Sequence, residues 1–185
     1  MKRLFLAVAI LFACVSVTMA QDVFVKGDKI GHIGFGVGDF LGGTGYKTTV
    51  PPVLISGEYG LTDALLENGK GFIGVGGYMA YAANKHTYSG NYGYKYSYFI
   101  IGGRGAFHYQ FVDKLDTYAG AMLGYNVASA SYFGDDEFSG AKADAGGVTY
   151  STFIGARYYF AENIAAFAEL GYGIAALELG LAFKF

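Results

Sequence analysis

The chain has 185 residues, enough for one domain with a sizeable core, and 53% of them are hydrophobic. Only 15% are charged, and there are 30 Gly, 17 Tyr and 16 Phe, a composition that is unusual for a soluble globular protein. The net charge of −2 gives no indication of the basic surface of a nucleic-acid-binding protein, and the single cysteine, Cys14, excludes an internal disulfide. After residue 20 no apolar run is long enough for a membrane helix.

The first twenty residues have the features of a cleaved signal peptide. Lys2 and Arg3 form a basic start, and the apolar segment Leu4 to Val17 is too short to span a bilayer. Small residues before Gln21 provide a cleavage site. We therefore predict that residues 1–20 are removed on export and that residues 21–185 form one mature domain.

A second interpretation of the leader stays open. Leu11 to Cys14 loosely resembles a lipobox, which would make Cys14 a lipidated N-terminus. Against it, Phe12 is bulky where lipoboxes have small residues, and the leader before Cys14 would be very short.

Beyond the leader, eight segments with a two-residue hydrophobic period are separated by turn residues. Successive side chains of a β-strand point to opposite sides, so each segment presents one apolar and one mixed face. In the last segment Glu178, Gly180, Ala182 and Lys184 alternate with the apolar residues Leu177, Leu179, Leu181, Phe183 and Phe185. The eight predicted strands are residues 30–40, 53–61, 72–82, 94–111, 117–129, 148–160, 163–172 and 176–185.

The mixed face of several segments carries one ionisable side chain among small residues. These predicted interior charges are Glu58, Arg104, Arg157, Glu169, Glu178 and Lys184. Three acids and three bases balance, which suits the narrow interior of a small barrel, where buried charges must pair. The apolar faces, many ending in Tyr or Phe, suit lipid.

A sheet that spans lipid must close, because an open edge would leave backbone groups unpaired. The predicted fold class is therefore all-β: a closed antiparallel up-and-down transmembrane β-barrel of about eight strands. The alternative is a soluble barrel of lipocalin type, with the apolar faces inside. With an even strand number and periplasmic termini, the external connections are residues 38–52, 84–91 and 131–147 and a tight one near Gly173. The first and third of these are predicted to be the longest connections.

The mature chain, residues 21–185, resembles the small OmpA/OmpX-type outer-membrane barrels, and in particular their barrel-only members. The most specific likeness is the terminal Phe185 preceded by apolar residues at alternate positions back to Leu177. The segments from Arg157 to Asn163 and from Glu169 to Gly173 also resemble the last hairpin of that family. The resemblance implies that Leu177, Leu179, Leu181, Phe183 and Phe185 form a signal for the barrel-insertion machinery, but it does not transfer a function.

Four other groups of residues are candidate sites. His32 and His108 fall on interior faces, where a hydrogen-bonded structural role is the expectation. His86 and Ser89 lie in a predicted loop and are reminiscent of a hydrolytic pair, but no third group orients them. Asp135, Asp136, Glu137 and Asp144 favour a solvated acidic loop over a divalent-cation site, because the spacing of an EF-hand is absent. The group Tyr88, Tyr92, Tyr94, Tyr96 and Tyr98 favours an aromatic girdle over an adhesive surface.

These observations predict a protein of the outer membrane without cofactor, bound metal or catalytic residues. Its expected role is structural, in envelope integrity, or interactive, with external loops that contact lipopolysaccharide or a surface ligand. The alternatives are a lipid-modifying enzyme of the outer membrane and a narrow channel for small ions. No nucleic-acid partner is expected.

Overall fold

The computed structural model describes residues 23–39, 45–88, 92–134 and 142–185. Over these ranges the chain forms eight strands, and each pairs antiparallel with the next. β1 also pairs with β8, so the sheet closes into a barrel and the predicted up-and-down topology is confirmed. Strands β1 to β8 span Lys29–Asp39, Tyr46–Gly60, Phe72–Thr87, Gly93–Val112, Leu115–Phe133, Lys142–Tyr159, Ile164–Tyr172 and Ala175–Lys184. Within the described ranges, no helix has the length and apolarity needed to cross a membrane.

Several strands extend further than the sequence pattern predicted. β2 begins at Tyr46 rather than at residue 53, and β6 begins at Lys142 rather than at residue 148. β3 and β5 likewise continue to Thr87 and Phe133. Most residues of these extensions are polar or small, with Tyr46, Tyr132 and Phe133 among the exceptions, so the two-residue hydrophobic period is lost there. Register shifts beside Pro51 and Pro52 accommodate the two prolines within β2.

The connections differ from the prediction because the strands extend into them. The predicted external connections 38–52 and 131–147 are partly taken up by strands, since β1 ends at Asp39 and β2 begins at Tyr46. The longest connection between strands is instead residues 61–71, at the end of the barrel where the termini lie. The prediction that the first and third external connections are the longest was therefore wrong.

The two faces of the sheet have the predicted polarity. Side chains at the middle of the strands that point outward are apolar and accessible, such as Leu123 and Ile154 with 65% and 61% of their surface exposed. Side chains that point inward are buried and include Ile30, Leu54 and Phe167. The ring of Phe167 of β7 lies over Gly180 of β8 and Gly34 of β1, where a Cβ atom would collide with it. Glycine therefore leaves the space that this aromatic ring fills.

Residues 23–28 precede β1 and fold into the mouth of the barrel at the terminal end. Val23 and Phe24 are 7% and 3% exposed, and the Phe24 ring stacks on His108 with the centroids 3.9 Å apart. The backbone N–H of Gly27 donates to the carbonyl of Gly60, and the N–H of Gly60 donates to that of Asp28. A side chain at Gly60 would collide with the carbonyl oxygen of Val25. We call residues Val23 and Phe24 the N-terminal plug.

Candidate functional site in the barrel interior

The first layer of the charged interior is centred on Arg157 of β6, whose side chain is fully buried. Its Nη1 donates to Glu58 Oε2 of β2 over 2.7 Å, which crosses the bore. Its Nε donates to Asp116 Oδ2 of β5 over 2.8 Å, and its Nη2 contacts the same oxygen. One guanidinium thus bridges two buried carboxylates, a geometry that its planar fork of donors favours.

Two histidines complete this layer, in the interior positions expected from the sequence. His108 lies between the same carboxylates, with Nε2 2.8 Å from Glu58 Oε1 and Nδ1 3.0 Å from Asp116 Oδ2. Arg157 Nη1 lies 3.0 Å from His32 Nε2, and His32 Nδ1 lies 3.0 Å from Ser56 Oγ. Because a guanidinium only donates, His32 Nε2 is the acceptor and its Nδ1 carries the proton.

The second layer lies nearer the other end of the barrel. Arg104 Nη2 of β4 donates to Glu169 Oε1 of β7 over 2.8 Å, and the Tyr118 hydroxyl donates to the same oxygen over 2.8 Å. Glu178 is directly opposite Glu169 in the pairing of β7 with β8. The Tyr78 hydroxyl donates to Glu178 Oε1 over 2.7 Å, which gives this second carboxylate a polar partner.

A small cavity adjoins the second layer, with a volume of about 30 Å³. Arg104, Glu169, Glu178 and Tyr78 line it on the charged side. Arg104 Nε is buried there without a hydrogen-bond partner. A space of this size holds little more than a water molecule, and a water here would satisfy this unpaired donor.

Five of the six predicted interior charges are buried inside the barrel, while Lys184 lies elsewhere. Its ammonium is at the terminal mouth, 2.7 Å from Asp28 Oδ2 and 3.5 Å from the carbonyl oxygen of Val23. Lys184 therefore contacts the segment that carries the plug rather than the other five charges. Within the described part of the chain, no three His, Cys, Asp or Glu residues are grouped to hold a metal ion.

Three interior groups were missed by sequence reasoning, namely Asp116, Tyr78 and Tyr118. Asp116 was placed in a turn, whereas β5 begins one residue before it, at Leu115. Tyr78 and Tyr118 occupy inward positions in the alternation of their strands, as Arg104 and Glu169 do. Counting alternate positions along β3 and β5 would therefore have identified them. The predicted interior set comprised charged residues and histidines only, so it left the two tyrosines out.

The other candidate residues lie apart from the interior charges. His86 of β3 is close to the rings of Tyr46 and Tyr88, with centroids 4.8 and 4.7 Å away. Ser89 and the acidic residues 135–137 lie outside the described residues, and so does the predicted leader. Asp144 belongs to β6. Tyr94, Tyr96 and Tyr98 of β4 alternate with the outward Phe99 and therefore lie on the inner face, so their assignment to an outer girdle was wrong. The ring of Tyr94 contacts that of Tyr132 at 5.3 Å.

Among the C-terminal residues, Leu181 and Phe185 have 41% and 83% of their surface exposed. The backbone N–H of Phe185 donates to the carbonyl of Lys29 over 2.9 Å, which anchors the chain end beside β1. The apolar face of β8 is therefore presented on the outside of the barrel, as the alternation predicted.

A closed barrel of eight antiparallel strands with a side-chain-filled interior is the fold of the small OmpA/OmpX-type barrels, so the resemblance is confirmed at the level of the fold. The chain is similar to Ail of Yersinia pestis in complex with the heparin analogue sucrose octasulfate, with 14% identity and a TM-score of 0.56 over 87% of this chain and 100% of that one. A second Ail structure matches with 14% identity, the same coverage and a TM-score of 0.50.

The N-terminal barrel domain of OprF from Pseudomonas aeruginosa matches with 18% identity over 87% of this chain and 98% of that chain, with a TM-score of 0.45. No family model matches the sequence, and no curated protein matches it. Structural matches at such low sequence identity show the fold alone, so the function must be argued from the residues of this chain.

Proposed function

We propose that this protein is an integral outer-membrane barrel with a structural or surface-binding role. The observation that carries the proposal is the polarity of the wall. Leu123, Ile101 and Ile154 are 65%, 50% and 61% exposed at the outside of their strands, whereas Arg157 and Asp116 are 0% and 1% exposed inside. In water such a surface would aggregate, while in lipid it is the stable arrangement.

The interior favours a closed barrel over a conducting one. Arg157, Glu58 and Asp116 bridge the bore in one layer, and Arg104 with Glu169 bridges it in another. Eight strands enclose only enough space for side chains, and the plug residue Phe24 covers the terminal mouth. The barrel therefore acts through its surfaces, in the envelope or toward a ligand outside the cell.

The proposed partners follow from this location. Lipid and lipopolysaccharide surround the apolar wall, and the external connections are the candidate contact with a surface ligand. A neighbour of the same fold, Ail, binds a heparin analogue, which supports a surface-binding role for this class. Phe185 with Leu177, Leu179, Leu181 and Phe183 is proposed as the signal that the insertion machinery reads after a leader has directed export. Within the described part of the chain, His86 makes ring contacts with Tyr46 and Tyr88, which gives the enzyme alternative no support.

A charge at the middle of the outer wall tests the membrane location. We expect Leu123→Arg to lower the free energy of unfolding in phosphatidylcholine vesicles by about 2–4 kcal/mol, because arginine at the bilayer midplane is costly. Ser129→Arg, on the same strand and face but beyond the apolar band, is expected to change it by less than about 0.5 kcal/mol. Urea titration with gel mobility of unboiled samples measures both. Equal effects, or a wild-type protein that is soluble and shows no mobility shift on boiling, would rule out the membrane wall.

A conductance measurement tests the closed bore. We expect the wild-type protein in planar lipid bilayers to give no steady conductance above that of the bare bilayer, because ion pairs fill the interior. A wide porin reconstituted in the same way serves as the positive control. Regular single-channel steps from the wild-type protein would favour the narrow-channel alternative instead.

A further inference from the structure

Four lysines occupy a single row across the sheet at the end of the barrel opposite the termini. Lys47 of β2 pairs with Lys85 of β3, and Lys85 pairs with Lys95 of β4. Lys95 pairs with Ser131 of β5, which pairs with Lys142 of β6. We call Lys47, Lys85, Lys95 and Lys142 the lysine row.

The lysine row faces outward. The ammonium groups of Lys85 and Lys95 lie 4.0 and 5.8 Å from the centroid of the Phe133 ring, so these three side chains share a face. The inner face at this level carries Tyr94 and Tyr132, whose rings contact each other. Lys47, Lys95 and Lys142 are exposed, and Lys85 is half-buried against Phe133.

The placement of these lysines is selective. Of the 13 Lys and Arg residues in the chain, two are in the leader, two are inside the barrel and five lie at the terminal end. The remaining four are the only Lys or Arg residues at the opposite end of the barrel, and all four belong to the lysine row. Like charges directly opposite on a sheet repel each other. Among the described residues, none of the four forms a salt bridge with a carboxylate.

The height of the row matches that of membrane headgroups. Tyr81 and Phe99 pair with each other and are the last large apolar side chains on the outer faces of β3 and β4. Lys85 is four residues beyond Tyr81, about 13 Å along the strand and about 10 Å along the membrane normal at the usual tilt. The row thus lies just above the apolar band, where anionic lipid headgroups are found.

We propose that Lys47, Lys85 and Lys95 bind the phosphate groups of lipopolysaccharide in the outer leaflet. This inference rests on the proposed outer-membrane location. Phosphate removes the repulsion within the row, and the outward orientation places the ammonium groups against lipid rather than at the mouth of the barrel. Lys142 extends the row, but Asp144 follows it on the same face, so the three consecutive lysines carry the charge.

The test compares two triple variants in phosphatidylcholine nanodiscs that contain a minor fraction of bisphosphorylated lipid A. Each lysine near an anionic surface strengthens binding about fivefold, so Lys47→Gln/Lys85→Gln/Lys95→Gln is expected to bind lipid A about 100-fold more weakly than wild type. Lys26→Gln/Lys29→Gln/Lys114→Gln, with the same charge change at the terminal end, is expected to bind like wild type. Native mass spectrometry of the released protein counts the bound lipid A.

Additional variants and lipids separate the possible outcomes. A variant with arginine at the same three positions keeps the charge and is expected to retain binding, which excludes a folding defect as the cause. Dephosphorylated lipid A is expected to bind weakly to every variant. Equal binding of lipid A by wild type and the glutamine variant would overturn the proposal. So would a glutamine variant that binds soluble heparin more weakly than wild type but binds lipid A equally well. Failure of the wild-type protein to enter the bilayer would instead refute the proposed function.

Discussion

Replacing Arg157 by methionine is expected to lower the free energy of unfolding by about 3–5 kcal/mol. Methionine fills a similar volume but leaves Glu58 and Asp116 buried without their shared cation. His108 alone then faces both carboxylates. The cost arises from uncompensated buried charge rather than from lost packing. Urea titration of the protein in phosphatidylcholine vesicles, followed by gel mobility without boiling, measures it.

Neutralising the carboxylates provides the control. In the triple variant Arg157→Met/Glu58→Gln/Asp116→Asn, no charge of this layer is left unpaired except that of His108 if it is protonated. We expect the triple variant to recover a substantial part of the loss, since the coupling between contacting groups is not additive. A single Arg157→Met variant within about 1 kcal/mol of wild type would show that the bridge across the bore contributes little to stability.

Replacing Phe24 by alanine is expected to lower the free energy of unfolding by about 3–5 kcal/mol, as for other buried phenylalanines. The ring is 3% exposed, stacks on His108 at 3.9 Å and lies 5.2 Å from the Arg157 guanidinium carbon. Its removal also opens the first charged layer to water. Urea titration under the same conditions as for Arg157→Met gives the comparison.

Two further variants distinguish packing in the plug from a general effect of the substitution. Phe24→Leu retains much of the apolar volume and is expected to lose less than half as much stability as Phe24→Ala. Leu65→Ala, in the exposed connection between β2 and β3, is expected to change stability by less than about 0.5 kcal/mol. A Phe24→Ala variant as stable as Leu65→Ala would show that the segment before β1 does not hold the mouth closed.

The strands of this barrel were predictable where their two sides meet different environments. From residue 53 to residue 60, for example, accessible and buried side chains alternate strictly along β2, and the sequence period follows that alternation. Near Tyr46 and Lys47 the strand has left the apolar band, both sides are polar, and the period that marks a strand disappears. The hydrogen-bonded ladder continues there because backbone pairing does not depend on side-chain polarity.

The interior charges were predictable as a set but not as pairs. Parity along each strand placed Arg104, Arg157 and Glu58 on the inner face, but which acid meets which base depends on the stagger between strands. Asp116 was missed because it is the second residue of its strand, where a pattern has barely begun. Phe24 precedes the first strand and belongs to no periodic segment, so its burial is visible only in three dimensions.

The pairing of β1 with β8 gives this chain a particular order of assembly. Every other pairing joins strands that follow one another in sequence, so those hairpins close short loops at small entropic cost. The pairing of β1 with β8, called here the seam, joins the first and last strands of the chain, so its formation has the largest loop-closure entropy cost of the fold. Until it forms, both outer strands expose unpaired backbone groups, so the seam is where a partner that adds a strand would compete with completion of the barrel.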